Sequence, residues 1–169
     1  HQQREYARLG LYQAQSLLVL DLERCTRCDE CTRGCADSHP DRNARLLREG
    51  ARFDKWLVTT CCRSCHKPYC LEGCPVDAIH RKGKGLQIVI ESHCIGCSLC
   101  EKQCPYGAIQ MADVKEGRTG ERTAAVPQKA VNCDLCNGLD DPYCVRACPH
   151  DAAFRFTGEK LLETARKRP

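Results

Sequence analysis

Short apolar runs alternate with polar, cysteine-containing segments along most of the chain. Residues 16–22 (S-L-L-V-L-D-L) form a run of strand length, and residues 56–60 and 86–90 are two further runs of this kind. Each run leads into a segment of closely spaced cysteines. The pattern therefore predicts three short strands, each ending at a cysteine-rich loop.

The segments outside these runs carry weaker signals. Residues 1–16 show no clear period and are predicted to form an N-terminal arm or a short helix, whereas helix formers around Leu161 and Leu162 predict a short helix in residues 157–169. Residues 40–55 are charged and rich in arginine, which favours a solvated insertion, with a docking surface for an acidic partner as the alternative. Residues 115–128 are predicted to form a polar linker.

Cysteine is the feature that sets this chain apart. It accounts for 17 of 169 residues, while aromatic residues make up only 5%. A core so poor in aromatic side chains needs covalent or metal staples. Sixteen cysteines form four ordered groups: group one is Cys25, Cys28, Cys31 and Cys35; group two is Cys62, Cys65, Cys70 and Cys74; group three is Cys94, Cys97, Cys100 and Cys104; group four is Cys133, Cys136, Cys144 and Cys148.

The spacing within the groups points to iron. Groups one and three read C-x2-C-x2-C-x3-C, the spacing of a bacterial ferredoxin cluster loop, and groups two and four are stretched versions of it. Cys61 is the odd cysteine out and is predicted to be a buried structural thiol, because Cys62 keeps the two-residue gap to Cys65. Proline follows groups two, three and four, but Ala36 follows group one, so the exit from group one should differ.

An internal repeat organises the groups. Residues 68–78 and 142–152 are identical at seven of eleven positions, and compact and stretched groups alternate along the chain. This pattern indicates a duplicated two-cluster unit. After each Cys-Pro step we expect a short helix whose small or aliphatic residues turn inward against a cluster; these pairs are Ala78-Ile79, Ala108-Ile109 and Ala152-Ala153.

Other chemistries for these cysteines are weaker. Tight C-x2-C-x2-C runs are poor geometry for disulfides, and structural zinc uses C-x2-C pairs that stand well apart. Residues 62–66 spell the C-x2-C-H signature of c-type haem attachment, but both cysteines are already needed for a group that matches three others.

The remaining composition argues against several function classes. The net charge is +4, yet neither finger spacing nor an aromatic stacking motif accompanies it, so no nucleic-acid partner is predicted. The longest apolar run, residues 17–20, is too short to span a membrane, and no signal peptide is visible. The sequence offers no nucleophile set and no glycine-rich nucleotide loop. We therefore expect an electron carrier with no catalytic site of its own.

Taken together, the four groups resemble the four-cluster ferredoxin-type subunits of dimethyl sulfoxide reductase, formate dehydrogenase, nitrate reductase and hydrogenase complexes. The resemblance covers roughly residues 17–156. It implies an α+β fold, small and loop-rich, made of two ferredoxin-like two-cluster modules stapled by iron–sulfur clusters. Residues 17–60 with 120–156 would form the outer module, which holds groups one and four, and residues 61–119 the inner module, which holds groups two and three.

In that family the groups pair in a nested way, which implies four [4Fe–4S] clusters with the following ligands. Set A is Cys25, Cys28, Cys31 and Cys148; set B is Cys133, Cys136, Cys144 and Cys35; set C is Cys62, Cys65, Cys70 and Cys104; set D is Cys94, Cys97, Cys100 and Cys74. The sequence alone leaves open the adjacent pairing of group one with two and three with four, which the usual proximity of consecutive elements mildly favours.

The implied function is a wire of clusters between redox partners in a multi-subunit oxidoreductase. The partners would be a catalytic subunit of molybdopterin-enzyme or hydrogenase type and a second redox subunit, for which a membrane-bound protein is one option. The location would be the cytoplasm or the periphery of the bacterial inner membrane, with export beside a partner left open. The alternative is a redox-sensing module of a larger regulatory chain. Basic residues near the loops could tune the potentials, namely Arg27, Arg33, Arg63, Lys67, Lys102 and Arg146.

Overall fold

The computed structural model describes residues 1–83, 85–116, 121–122 and 128–167, in which short helices and antiparallel strands are joined by loops into a small α+β fold. The helices are α1 (Gln2–Arg8), α2 (Glu30–Asp37), α3 (Leu99–Gln103), α4 (Leu135–Gly138), α5 (Tyr143–Arg146) and α6 (Gly158–Arg166), with 3-10 turns at Leu11–Gln13 and Tyr69–Leu71. The strands are β1 (Leu17–Asp21), β2 (Leu46–Phe53), β3 (Trp56–Cys61), β4 (Ile79–Arg81), β5 (Ile88–Ile90), β6 (Gln110–Asp113), β7 (Lys115–Glu116), β8 (Glu121–Arg122), β9 (Gln128–Val131) and β10 (Ala153–Phe156).

A four-stranded antiparallel sheet lies at the centre, with strand order β10-β1-β3-β2. Strand β1 is buried along its whole length, which explains why its sequence is a continuous apolar run. Alternate side chains serve two cores. Leu17 and Val19 pack with Trp56, α6 and the N-terminal segment, whereas Leu18 and Leu20 belong to the core that contains the cysteines.

The sheet thus separates an apolar face from a cysteine face. On the apolar face, Trp56 makes edge contacts with Phe154 and Phe156, at ring-centroid distances of 5.7 and 5.5 Å. Leu161 of α6 closes this core, and the Thr157 side chain caps the helix by accepting a hydrogen bond from the Lys160 N–H (3.1 Å). The arm and the tail therefore cover one side of the sheet and leave the other to the cysteine loops.

Most predicted elements are present with slightly different bounds. The runs at 16–22, 56–60 and 86–90 correspond to β1, β3 and β5, the N-terminal arm contains α1, and the C-terminal helix is α6. Group one ends differently from the other groups, as expected, because α2 continues past Cys35 to Asp37 where no proline interrupts it. The predicted linker at 115–128 lies partly outside the described residues.

Two expectations about local structure were wrong. Residues 40–55 are not wholly a solvated insertion, since they contain β2, whose ends Leu46 and Phe53 are buried. Strand β2 carries a bulge at Gly50, where an added Cβ would lie 1.9 Å from the Val58 carbonyl oxygen, so only glycine fits. The steps after Cys-Pro are turns that lead into β4, β6 and β10 and not helices, although their Ala and Ile residues are buried as predicted.

Small hairpin-like pairs complete the fold around the inner cysteine groups. Strand β4 pairs with β5, β6 with β9, and β7 with β8, all antiparallel. Across the part of the chain that the structure describes, no helix combines the length and the apolar character that a membrane crossing requires.

Candidate iron–sulfur centres

The compact groups share one backbone design. Residues on both sides of the second cysteine have positive φ: Arg27 (60°) and Asp29 (63°) in group one, Gly96 (72°) and Ser98 (60°) in group three. These left-handed residues reverse the chain twice within a few residues and let a short helix, α2 or α3, begin before the third cysteine. The two compact groups therefore share the same local backbone fold around their first three cysteines.

The stretched groups repeat part of this design. Ser64 (φ 48°) and Leu135 (φ 58°) precede their second cysteines in the left-handed region. The third cysteine then lies in a short helical turn that follows a proline, Pro68 in group two and Pro142 in group four. Proline suits the start of a helical turn because it has no backbone N–H that would be left unpaired there, and its φ is fixed.

After the Cys-Pro steps, backbone N–H groups point at the sulfur of the last cysteine. The third residue after the last cysteine has positive φ in each case, at Asp77 (51°), Gly107 (63°) and Asp151 (49°). The following residue then faces back, so that the Ala78 N–H donates to Cys74 Sγ and the Ala152 N–H donates to Cys148 Sγ, both at 3.3 Å. In group one, which lacks the proline, the Arg45 N–H donates to Cys35 Sγ instead, at 3.2 Å. Such bonds favour a charged sulfur.

The four groups contact each other in two pairs. Helix α2 of group one packs against α5 of group four, and α3 of group three packs against the 3-10 turn of group two. The residue before the last cysteine lies in the contact in both pairs. A Cβ on Gly34 would lie 2.7 Å from Ala147 Cβ, and a Cβ on Gly73 would lie 3.3 Å from the Gln103 amide nitrogen. The two contacts thus occupy equivalent positions.

Thiols from groups one and four influence each other electrostatically. Burial raises the pKa of Cys31, and the charges of Cys25 and Cys148 raise it further. These three belong to set A. For Cys144 of set B, burial and the charges of Cys133 and Cys35 raise the pKa to about 11 despite the lowering effect of nearby Arg155.

Groups two and three show the same relation. Burial raises the pKa of Cys70 to about 12, with further contributions from Cys62, Cys104 and Cys65, the other members of set C. In set D, burial and the charges of Cys94 and Cys97 raise the pKa of Cys100 to about 11.

Set D also shares a cavity. All four of its cysteines line one pocket, together with the apolar residues Val76, Ala78, Ile79, Ile90, Ile95 and Ala130. Within set D, Cys74 differs from the buried thiols: burial raises its pKa, but hydrogen bonds from the backbone around Ala78 outweigh this and hold the pKa below its usual value.

The donor chemistry fits iron–sulfur clusters. All seventeen cysteines are free thiols, and within the described ranges no three Cys, His, Asp or Glu side chains converge on a site for one metal ion. Buried thiols that raise each other's pKa lose their protons readily only when a cation compensates the charge, which iron does. Soft thiolates are the ligands that iron–sulfur clusters require.

Exposure differs among the sets. Cys28 of set A and Cys97 of set D are exposed, whereas every thiol of sets B and C is buried or half-buried. Among the basic residues predicted to tune potentials, Arg27, Arg33, Lys67, Lys102 and Arg146 are exposed. Arg63 is buried, stacks on Tyr106 at 3.8 Å from the ring centroid, and interacts electrostatically with Cys65 and Cys104.

Sequence reasoning missed Arg155, a basic residue that contacts sulfur directly. Its Nη2 lies 3.3 Å from Cys133 Sγ and 3.6 Å from Cys61 Sγ. The available signal was its position between Phe154 and Phe156 in a strand, since alternation turns Arg155 to the face opposite the two rings.

Cys61 is buried, as predicted (2% exposed). A hydrogen bond to Cys133 and burial raise the pKa of Cys61 well above its usual range, which keeps it protonated.

Comparison with known proteins identifies the family. A 4Fe–4S dicluster domain matches residues 93–153, which contain groups three and four. Hydrogenase-4 component A of Escherichia coli K12 is 34% identical over 165 residues, covering 81% of this chain and 80% of that protein. The chain belongs to the 4Fe–4S ferredoxin-type family.

Other ferredoxin-type relatives agree with this assignment. Electron transport protein HydN of E. coli K12 is 32% identical over 168 residues, covering 89% of this chain and 94% of HydN. The B subunit of anaerobic dimethyl sulfoxide reductase from the same strain is 30% identical over 150 residues, covering 77% of this chain and 67% of that subunit. The chain is accordingly an iron–sulfur electron-transfer component, related to hydrogenase and dimethyl sulfoxide reductase subunits, and not the catalytic subunit.

Proposed function

We propose that this chain holds four [4Fe–4S] clusters in sets A to D and conducts single electrons along them within a multi-subunit oxidoreductase. The observation that carries the proposal is the packing of the groups, in which α2 of group one lies against α5 of group four and α3 of group three lies against the 3-10 turn of group two. The proposed modules are residues 17–60 with 120–156 and residues 61–119.

The sets would follow one another in the order A, B, C, D. Sets A and B share helix α2, which carries Cys31 and Cys35. Sets B and C meet where the charge of Cys133 raises the pKa of Cys62, and sets C and D meet where the charge of Cys100 raises the pKa of Cys70. This order puts the exposed Cys28 and Cys97 at opposite ends of the series, where redox partners would dock.

A bound [4Fe–4S] cluster supplies reversible one-electron chemistry. The protein contributes the ligands, hydrogen bonds to the sulfurs, and apolar residues that exclude water. The Ala78 and Ala152 N–H groups stabilise thiolate charge at Cys74 and Cys148, and buried residues such as Ile79 and Ile109 exclude water from the thiols.

By analogy with the relatives, we assign the partners to a hydrogenase or molybdopterin-type catalytic subunit and a second redox subunit. The proposed location is the cytoplasm or the periphery of the bacterial inner membrane, with export beside a partner as the alternative. Redox sensing, the alternative, requires a labile cluster whose oxidation changes partner binding. Reversible reduction of all clusters without a change in hydrodynamic size would favour conduction over sensing.

The nested pairing is tested by double variants. Cys25→Ser and Cys148→Ser each remove a ligand of set A, so the double variant should lose one cluster and keep about twelve irons. Under adjacent pairing these two residues belong to different clusters, and about eight irons would remain. The matched double variant Cys25→Ser/Cys74→Ser should behave in the opposite way. Iron and acid-labile sulfide analysis of anaerobically purified protein, with the wild type as reference, distinguishes the two schemes.

A further inference from the structure

Arg155 lies where a charged side chain is unusual, on the cysteine face of strand β10. Its neighbours Phe154 and Phe156 pack against Trp56 on the apolar face of the sheet. The Arg155 Nη2 donates toward three sulfurs, at 3.3 Å from Cys133, 3.8 Å from Cys144 and 3.6 Å from Cys61. Two of these sulfurs belong to set B, and the third belongs to no set.

Arg155 is half-buried as a residue, but most of its guanidinium is shielded from water. Its Nε and Nη1 have no contact with solvent and no hydrogen-bond partner among the described residues. The set B sulfurs Cys133 and Cys144 supply charges that act on Arg155. A buried cation is costly unless an anion compensates it. The sulfurs of set B, once they are deprotonated as cluster ligands, therefore act as its counter-charge.

A cation in this position favours the more negative redox state. Reduction adds one negative charge to a cluster and its thiolates, and the attraction between that charge and Arg155 is strong because little water screens it. Hydrogen bonds to ligand sulfur act in the same direction. By contrast, Arg146 is about half exposed (52%) and forms an ion pair with Asp141 at 3.5 Å, so its charge is screened and largely compensated.

We infer that Arg155 raises the reduction potential of the cluster held by set B, which makes this position an electron-accepting step inside the series. The inference rests on the proposed function, because it requires a cluster on set B. The step is a one-electron transfer, in which a neighbouring cluster is oxidised by one electron and the set B cluster is reduced by one. Bonds and protons at Arg155 are unchanged. Arg155 is thus a positioning and tuning residue, not a ligand.

The test compares three variants of the intact, anaerobically purified protein by redox titration monitored with electron paramagnetic resonance. Arg155→Met should lower one midpoint potential, making reduction of that cluster less favourable by at least tenfold, about 59 mV for a one-electron couple. Arg155→Lys keeps the charge and should retain most of the wild-type potential. Arg146→Met, the matched control, should leave every midpoint unchanged. The signal that shifts should be the one absent from Cys136→Ser, which lacks a set B ligand.

The outcomes separate the inference from the function on which it rests. Unchanged midpoints in Arg155→Met with a full iron content would overturn the inference and leave the four-cluster proposal intact. Equal shifts of every midpoint would also overturn it, since Arg155 would then affect all clusters alike. Loss of the set B signal in both Arg155→Met and Arg155→Lys would overturn it as well, since Arg155 would then be needed for assembly of that cluster. Wild-type protein without a signal that depends on Cys136 would refute the proposed function itself.

Discussion

At the scale of single residues, the two adjacent cysteines Cys61 and Cys62 have different roles. Both are buried, yet only Cys62 keeps the spacing of a cluster ligand. The Cys61 thiol lies beside Cys133 and receives a hydrogen bond from Arg155. It occupies the junction between sets B and C without belonging to either.

This difference predicts contrasting variants. Cys61→Ala should keep the full iron content and the visible spectrum of the wild type, because a small apolar side chain fills most of the space of a buried thiol. Cys62→Ala, one residue away, should lose about four of the irons. Iron analysis and the visible absorbance of the iron–sulfur clusters are compared between the two variants. Equal iron loss in both variants would show that Cys61 is a ligand.

At the scale of elements, the contact between α2 and α5 joins group one to group four. Gly34 lies in this contact, and any side chain there would press on Ala147. Crowding a packed contact of this kind costs about 1–3 kcal/mol.

A swap of the two side chains tests this contact. Gly34→Ala should lower the unfolding temperature of the holoprotein, and adding Ala147→Gly should restore most of the loss, since the Ala147 Cβ is the atom in the way. Gly85→Ala is a suitable control, because its nearest neighbour, the Lys82 carbonyl oxygen, is 3.4 Å away. Thermal melts followed at cluster absorbance measure all three. Failure of Ala147→Gly to rescue would contradict the proposed packing.

A second link between these groups depends on pH. His39 follows α2, with its Nδ1 2.8 Å from the Cys35 carbonyl oxygen and its Nε2 3.7 Å from Asp134 Oδ1. Asp134, followed by Cys35, raises the pKa of His39 from 6.5 to about 10. Because the folded-state pKa is the higher one, the stabilisation is complete below about pH 6.5 and disappears as the pH rises through about 10.

His39→Gln should therefore destabilise the protein by about 1.5–3 kcal/mol at neutral pH, the range for hydrogen bonds to charged groups. The difference from wild type should shrink toward zero as the pH approaches about 10. Melting temperatures of both proteins over this pH range provide the measurement. A difference that stays constant with pH would exclude the charged form of His39 as its source.

The sequence predicted the elements with strong local signals. The run L-L-V-L-D and the cysteine spacings specify β1 and the cluster loops because apolar periodicity and turn geometry are local properties. Strand β2 escaped prediction because residues such as Arg48, Glu49 and Gly50 look solvated, and only pairing with β3 makes them a strand. Arg155 escaped for a similar reason: its proximity to Cys133 and Cys144 arises from tertiary contacts that no local pattern reveals.

At the scale of the whole molecule, the two faces of the central sheet have different roles. The apolar face, closed by α6, supplies conventional hydrophobic stability, and the opposite face presents cysteines from every group. The core on the cysteine face packs aliphatic side chains such as Leu18 and Ile79 around thiols that repel one another once they are charged, so its order should depend on bound iron. Removal of iron with a chelator should loosen the loops of groups one to four before it disturbs β1 and α6, as read by hydrogen exchange. Uniform loss of protection would argue against this division.

The central claim is that this ferredoxin-type chain carries four [4Fe–4S] clusters, and the most direct measurement is the iron and acid-labile sulfide content of protein purified without air. The account predicts about sixteen irons and as many sulfides per chain, with reduced samples giving the resonance spectrum of interacting clusters. About eight irons per chain, or iron without sulfide, would contradict it.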